Sequence, residues 1–344
     1  MVTLHQNLAR FFTRKTGGTI PLDNMATMQN KTEQPLVSFI VTTYNLPTPL
    51  LRECLQSILS LSLSKDEREI IVIDDGSEVS PLNDLVELRD EIIYIRQRNM
   101  GLPTARNMGL VCAQGKFIQF VDGDDYLIQA PYEHCLDIAR YQEADLILFH
   151  ETKQTEPEVP FEYEGPMTGA AYMHQYNLRA SACGYLFKSQ ILKSLRFTAG
   201  RLHEDEEFTP QLLLRAEHVF FTQSRAYYYR QRSGSITADD NMRHTAKRLD
   251  DTESIILRLL EISQRAPEME RVALNRRIAQ LTMDYLYNII QLTHSARHLN
   301  DAIARLGKRG LFPLPDKNYT KKYTAFRKMV NTKMGRRILL LMIR

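Results

Sequence analysis

The chain has no tryptophan, only four cysteines, and no apolar run long enough to cross a bilayer. Cys54, Cys112, Cys135 and Cys183 form no C-x-x-C pair, so reduced, structural thiols in a cytosolic protein are expected. A helical span needs roughly 18 apolar residues; none occurs, and no apolar signal-peptide core lies near Met1. No G-x-G-x-x-G follows a strand pattern, since Gly101 and Gly109 have the wrong spacing, and there is no Walker motif. Dinucleotide-binding and P-loop chemistries are therefore not indicated.

What is present suits a large globular core. The 344 residues are 43% hydrophobic and 25% charged, enough for one large domain or two. The net charge of +3 conceals an asymmetry: residues 301–344 carry twelve Lys/Arg against two Asp/Glu. A basic tail on a mildly acidic body points to an anionic surface, either membrane headgroups or nucleic acid.

Residues 1–34 are polar with little periodicity and read as a flexible leader. The runs 35–45, 69–77, 91–97 and 117–121 are β-branched and apolar, and predict buried strands. Helices are predicted over 49–61, where Leu51, Cys54, Leu55, Ile58 and Leu59 fall at helical spacing, around 81–89, and after the glycine-rich turn in 99–115. Strands alternating with helices argue for a parallel α/β sheet, in which ligands bind beyond the carboxyl ends of the strands. Three of these strands end in ligand-type residues: Thr42 to Asn45, Asp74-Asp75, and Asp122, Asp124 and Asp125 around Gly123. Carboxylates this close repel unless a cation or protons sit among them, and hard oxygen ligands suit Mg²⁺ or Mn²⁺. An isolated D-x-D is more often a solvated turn; several such strand ends on one rim mark a site.

Further along, 131–150 reads as a helix and a strand, and the Pro- and Glu-rich 151–166 as a surface loop. The stretch 181–192 is expected to pack beneath the site, with Tyr185 in the core or stacked on a ligand. Residues 243–306 are helical, with a stripe of Ile278, Leu281, Tyr285, Ile289 and Leu292 and a stop at Gly307. In the tail, Phe326, Val330, Met334, Ile338 and Leu341 share one face among many basic residues, with Arg327 falling inside it. This predicts either an interfacial helix on anionic lipid or a helix docked on the body.

SFIVTTYN, EIIVIDDGS, RNMGLPTARNMGL and FVDGDDYL, in this order, resemble the family-2 glycosyltransferases with the GT-A fold, of the kind that builds bacterial capsular and surface polysaccharides. LHEDEEF and YYYRQRSGSI match further pieces, so the resemblance covers about residues 36–236. It implies a doubly wound mixed sheet with flanking helices, followed by a C-terminal helical region. The expected organisation is a leader over 1–34, a transferase domain over 35–240 (35–127 for the nucleotide sugar, 128–240 for the acceptor), a helical extension over 241–310 and a basic amphipathic tail over 311–344. The implied reaction is inverting transfer of a hexosyl or N-acetylhexosaminyl group from a nucleotide-diphosphate sugar, UDP-linked by expectation, to a glycan or lipid-linked glycan. The implied place is the cytoplasm, with peripheral contact at the inner membrane face through the tail, and no nucleic-acid partner.

Carried over position by position, Thr42, Tyr44, Asp75, Arg106 and Asp122 would contact the donor, with Asp75 accepting from a ring N–H of the base. Asp124, with Asp122, would hold Mn²⁺ or Mg²⁺, and Asp205 would be the general base. Thr42 departs from the proline of many members, and the Q-x-x-R-W signature of processive synthases is absent. The chemistry has its own logic. A departing nucleotide diphosphate gathers negative charge that a divalent cation neutralises, and the acceptor hydroxyl must lose a proton to a carboxylate. Glu206 and Glu207 read as ordinary first-turn helix acids. Arg230 and Arg232 read equally as a diphosphate clamp or as solvated strand-end arginines, and His203 and His244 as extra ligands or structural residues. A sugar nucleotidyltransferase would want a glycine-rich, basic loop after the first strand, which TTYNLPTPL is not. A degenerate, purely binding protein would not need all these carboxylates.

Overall fold

Apolar β-branched runs form the strands and helix-spaced leucines the helices. The computed structural model describes residues 34–155, 162–231 and 242–343. The leader and Arg232 lie outside the described residues, as does the side chain of His244. Four strands, β1 (Val37–Thr43), β2 (Arg68–Asp74), β3 (Ile93–Arg96) and β4 (Phe117–Asp122), make a parallel half-sheet in the order β3-β2-β1-β4. They alternate with α1 (Thr48–Leu59), a 3-10 helix at Pro81–Leu88 and α2 (Leu102–Cys112). On α1 the buried residues are Leu51, Cys54, Leu55 and Ile58, four of the five that the spacing predicts, and Leu59 is half-buried.

The chain winds outward from β1 to β3 and then returns to the far side of β1 as β4. Strand order therefore reverses between β1 and β4, which opens a crevice at their carboxyl ends. Register brings the polar ends together there: Thr42 pairs with Asp122 and Thr43 with Asp74.

Beyond β4 the sheet becomes mixed. β5 (Tyr126–Leu127) and α3 (Gln129–Tyr141) lead to β6 (Leu146–Thr152), β7 (Tyr163–Met167), α4 (Gly169–Gln175), β8 (Tyr185–Lys188) and a single turn, α5 (Ser189–Leu192). After α6 (Asp205–Leu213) comes β9 (Val219–Tyr228). The full order is β3-β2-β1-β4-β8-β6-β9-β5, with β7 on β9 and with β8 antiparallel to both neighbours. The doubly wound mixed sheet expected of the GT-A fold is thus present.

Three expectations are corrected. The loop over 151–166 is shorter than expected, because Tyr163–Met167 is a strand. Most of its residues face solvent, so no apolar alternation marked it. Tyr185 cannot stack on a sugar: it is fully buried, and its hydroxyl meets Thr209 Oγ1 at 3.0 Å. Gly307 lies inside a helix, and the left-handed residue after that helix is Gly310, with φ 72°.

The C-terminal region comprises α7 (Met242–Arg265), α8 (Glu268–Thr293), α9 (Ala296–Lys308), α10 (Lys321–Val330) and α11 (Lys333–Met342). They share a second apolar cluster, which includes Ile278, Tyr285, Leu314, Tyr323, Phe326 and Val330. Leu292, expected on that stripe, is 40% exposed near the end of α8. The tail is not one continuous helix. It breaks at Asn331-Thr332, where the Thr332 hydroxyl caps α11 by accepting from Gly335 N–H at 3.0 Å. Arg327, the charge inside the apolar face, is buried and paired with Asp316.

Candidate active site

The acidic turn is built by close backbone approach. Gly123 N–H donates to the carbonyl of Thr42 at 2.9 Å, and a β-carbon at Gly123 would lie 2.8 Å from that oxygen. Only glycine fits, which holds the turn against the end of β1. Asp125 N–H closes the turn onto the Asp122 carbonyl at 2.9 Å.

The three carboxylates then diverge. Asp122 is partly exposed and accepts from Arg106 Nη2 at 2.9 Å, with the Thr42 hydroxyl 3.4 Å away. Asp124 is half-buried at the corner. Asp125 turns inward, where it accepts from the Tyr227 hydroxyl at 2.8 Å and from Arg230 N–H at 2.7 Å. Burial, and then the negative charge of Asp122, push the Asp125 carboxyl up to about 8, against the pull of these two hydrogen bonds. Tyr227 also accepts from Asp122 N–H at 3.1 Å, so one buried hydroxyl ties both ends of the turn.

Arg230 is neither a free clamp nor a solvated side chain. Its Nε donates to the Asp124 carbonyl at 2.8 Å and its Nη2 to Glu53 at 2.6 Å. Its guanidinium lies 5.7 and 5.8 Å from the rings of Tyr126 and Tyr228, which stack on each other.

On the neighbouring strand end, Asp75 is buried and accepts from Gln97 Nε2 at 2.7 Å, Met100 N–H at 3.0 Å and Gly101 N–H at 2.8 Å. A carboxylate offers about four lone-pair sites, so room for one further donor remains. Tyr44 projects beside it, 50% exposed.

Arg106 is the principal correction. Expected to approach the nucleotide, it is 4% exposed and donates to Asp122 on one side and to Glu204 at 2.8 Å on the other. Phe120 and Phe197 flank it, with ring centroids at 5.8 and 5.6 Å. Its place on α2 explains this. Pro103 and Leu110, three and four residues away, share its buried face. That spacing was the available sequence signal.

Glu204 to Glu207 enter α6. Glu204 pairs with Arg106, Glu206 with Arg277 of α8, and Glu207 with Arg201. Asp205 alone of the four has no arginine among the described residues; it accepts from Glu206 N–H at 2.9 Å. Its carboxyl is held well above the usual range by burial and then by Glu204 and Glu206, with Arg106 opposing. Glu204 is raised by burial and lowered by Arg106. The preceding loop is fixed from α7: Leu202 N–H donates to Asp251 at 2.8 Å, and Arg248 Nε lies 3.4 Å from His203 Nε2. His203 therefore sits in a structural contact. Sequence reasoning missed Arg277, Asp251, Tyr227 and Glu53, because nothing local pairs residues so far apart in the chain.

No cluster of three or more His, Cys, Asp or Glu side chains forms a metal cage among the described residues. Mg²⁺ and Mn²⁺ do not need one, since one or two carboxylates suffice when waters and substrate phosphates complete the shell. Asp122 and Asp124 fit that role, whereas the oxygens of Asp125 are engaged inward. The four thiols are free; burial raises those of Cys54 and Cys183, consistent with inert core residues.

Residues 38–197 match the model of Glycosyl transferase family 2. The glycosyltransferase GlyA of Streptococcus pneumoniae is 31% identical over 58% of this chain, and EpsJ of Bacillus subtilis, an uncharacterized glycosyltransferase, is 30% identical over 59%. The aligned region spans 31% of GlyA and 63% of EpsJ. Among solved structures, an S. aureus TarS fragment in complex with UDP-GlcNAc superposes with a TM-score of 0.66 at 19% identity, covering 88% of each chain. With the mixed sheet and the acidic turn at the switch point in hand, residues 38–197 form a domain that matches glycosyltransferase family 2, and the chain spans less than two thirds of the length of these two relatives.

Proposed function

We propose that this protein is a metal-dependent, inverting, non-processive glycosyltransferase. It moves a hexosyl or N-acetylhexosaminyl group from a UDP-sugar to a hydroxyl of a growing surface glycan of the capsular type, and works at the inner face of the membrane. The observation that carries the reading is the Arg106 bridge. One guanidinium spans Asp122 of the donor rim and Glu204, the residue before Asp205, so the diphosphate end and the acidic helix meet in one site. The UDP-GlcNAc bound by TarS favours a UDP donor.

In this mechanism Thr42, Tyr44 and Asp75 line the base and ribose side. Asp122 and Asp124 hold Mn²⁺ or Mg²⁺, which would neutralise the charge of the departing diphosphate. Arg230, held to the Asp124 carbonyl and Glu53, would brace the acidic turn from the segment after β9. Asp205 takes the proton of the acceptor hydroxyl. Its raised carboxyl suits that work, because a base poised near the operating pH transfers protons best. Arg106, tied to Glu204 and Asp122, would hold the two acidic segments in place around that proton transfer.

The test is a screen of nucleotide sugars with Mn²⁺, read as thermal stabilisation and then as transfer. A specific donor at about 100 times its Kd should add about 2.7 kcal/mol of stability. Folded Asp124→Asn should lose the metal-dependent part of that gain. Stabilisation by no nucleotide sugar, or full transfer by folded Asp124→Asn and Asp205→Asn, would overturn the reading.

A further inference from the structure

From Lys317 to Arg344 the sequence holds nine Lys/Arg and no Asp or Glu. Within that stretch α11 is fixed in orientation. Gly335 and Leu339 are buried, and a β-carbon on Gly335 would collide with the backbone of Met329 at the end of α10. The Thr332 cap sets its start, and Arg336 Nη1 donates to the Val330 carbonyl at 2.9 Å. The other face is turned outward and is apolar. Met334 is 73% exposed, Leu341 76% and Met342 71%, with Ile338 at 39% between them. Their spacing of four, three and one residues forms a single stripe. Lys333 and Arg337, exposed and one turn apart, border it.

We propose that this stripe docks on an anionic membrane surface, with Met334, Ile338, Leu341 and Met342 entering the acyl boundary and Lys333 and Arg337 at the headgroups. The proposal rests on the membrane placement of the proposed function and deepens it. The contact element is not the continuous helical face expected from sequence, because Phe326 and Val330 belong to the core; it is α11 alone. Exposed apolar side chains gathered on one face mark an interaction surface. Charge selects the occupant. A second copy would bring the Lys333 and Arg337 charges against their own copies, whereas a bilayer rich in anionic lipid complements these basic residues and accepts the apolar ones.

The test uses the full chain in vesicle sedimentation. Vesicles of phosphatidylglycerol and phosphatidylcholine should bind it, and those of phosphatidylcholine alone should bind it far less. The Ile338→Asp/Leu341→Asp variant should lose affinity at least about tenfold, since two side chains leave the acyl boundary. Lys333→Glu/Arg337→Glu should weaken binding, and added salt should weaken it in the wild type. Both sites are exposed, so melting curves should match wild type. Nucleotide-sugar stabilisation, measured in parallel, reads the donor site separately: its presence without vesicle binding sinks this proposal alone. Equal vesicle binding by wild type and the apolar variant, or a wild-type dimer that the apolar variant converts to monomer, would also overturn it.

Discussion

Two acidic clusters face each other across Arg106, and they solve the same problem differently. Asp122, Asp124 and Asp125 crowd into one turn, where the charge is relieved by an inward hydroxyl, a backbone N–H and a guanidinium contact at Asp122. Glu204 to Glu207 are spread around a helix start, and three of the four meet an arginine, two of them from distant helices and one from six residues upstream. In the second cluster Asp205 is the one carboxylate without an arginine among the described residues. In the first, Asp125 is fastened inward, whereas Asp122 stays partly exposed although it meets Arg106.

The largest effect expected from breaking this contrast is at Asp205. Asp205→Asn should lower the transfer rate by about 10²- to 10⁴-fold with the melting temperature preserved, as checked by steady-state kinetics beside calorimetry. Next comes the bridge itself. Arg106→Met leaves the buried Glu204 carboxylate and its neighbour Asp122 without their cation and should cost about 3–5 kcal/mol of stability in denaturant titration. Tyr227→Phe removes the hydroxyl shared by Asp122 and Asp125; a loss of about 1–3 kcal/mol is expected from the buried groups left unsatisfied.

The smallest and most diagnostic effect is on pH dependence. The base works deprotonated, so a raised Asp205 carboxyl places the acid limb of kcat/KM above the ordinary carboxylate range, with activity lost as pH falls through it. Glu206→Gln removes a like charge and should move that limb to lower pH. A limb that stays in place would assign the proton transfer to another group.

The half-sheet from β1 to β4 was largely legible in sequence because its signals are local. Buried parallel strands are continuous apolar runs, and Asp75, Gly123 and Asp124 follow their own strands directly. The acidic helix was legible only in part. First-turn acids are common for dipole reasons alone, so Glu204 to Glu207 looked alike until their partners were known. Arg106 was placed in the right region and given the wrong surroundings, since its inward face on α2 depends on packing against Phe120 and Phe197.

By itself, then, the sequence determined the strands of the half-sheet, their polar ends and the family resemblance, because strand ends and glycine turns are written in neighbouring residues. The tertiary structure decided which acids are paired, that the tail breaks at Asn331 with α11 facing outward, and that Arg106 joins the two clusters. Those facts depend on which distant side chains meet. Arg277 lies 71 positions from Glu206, and Glu204 98 from Arg106, separations at which no local pattern carries information.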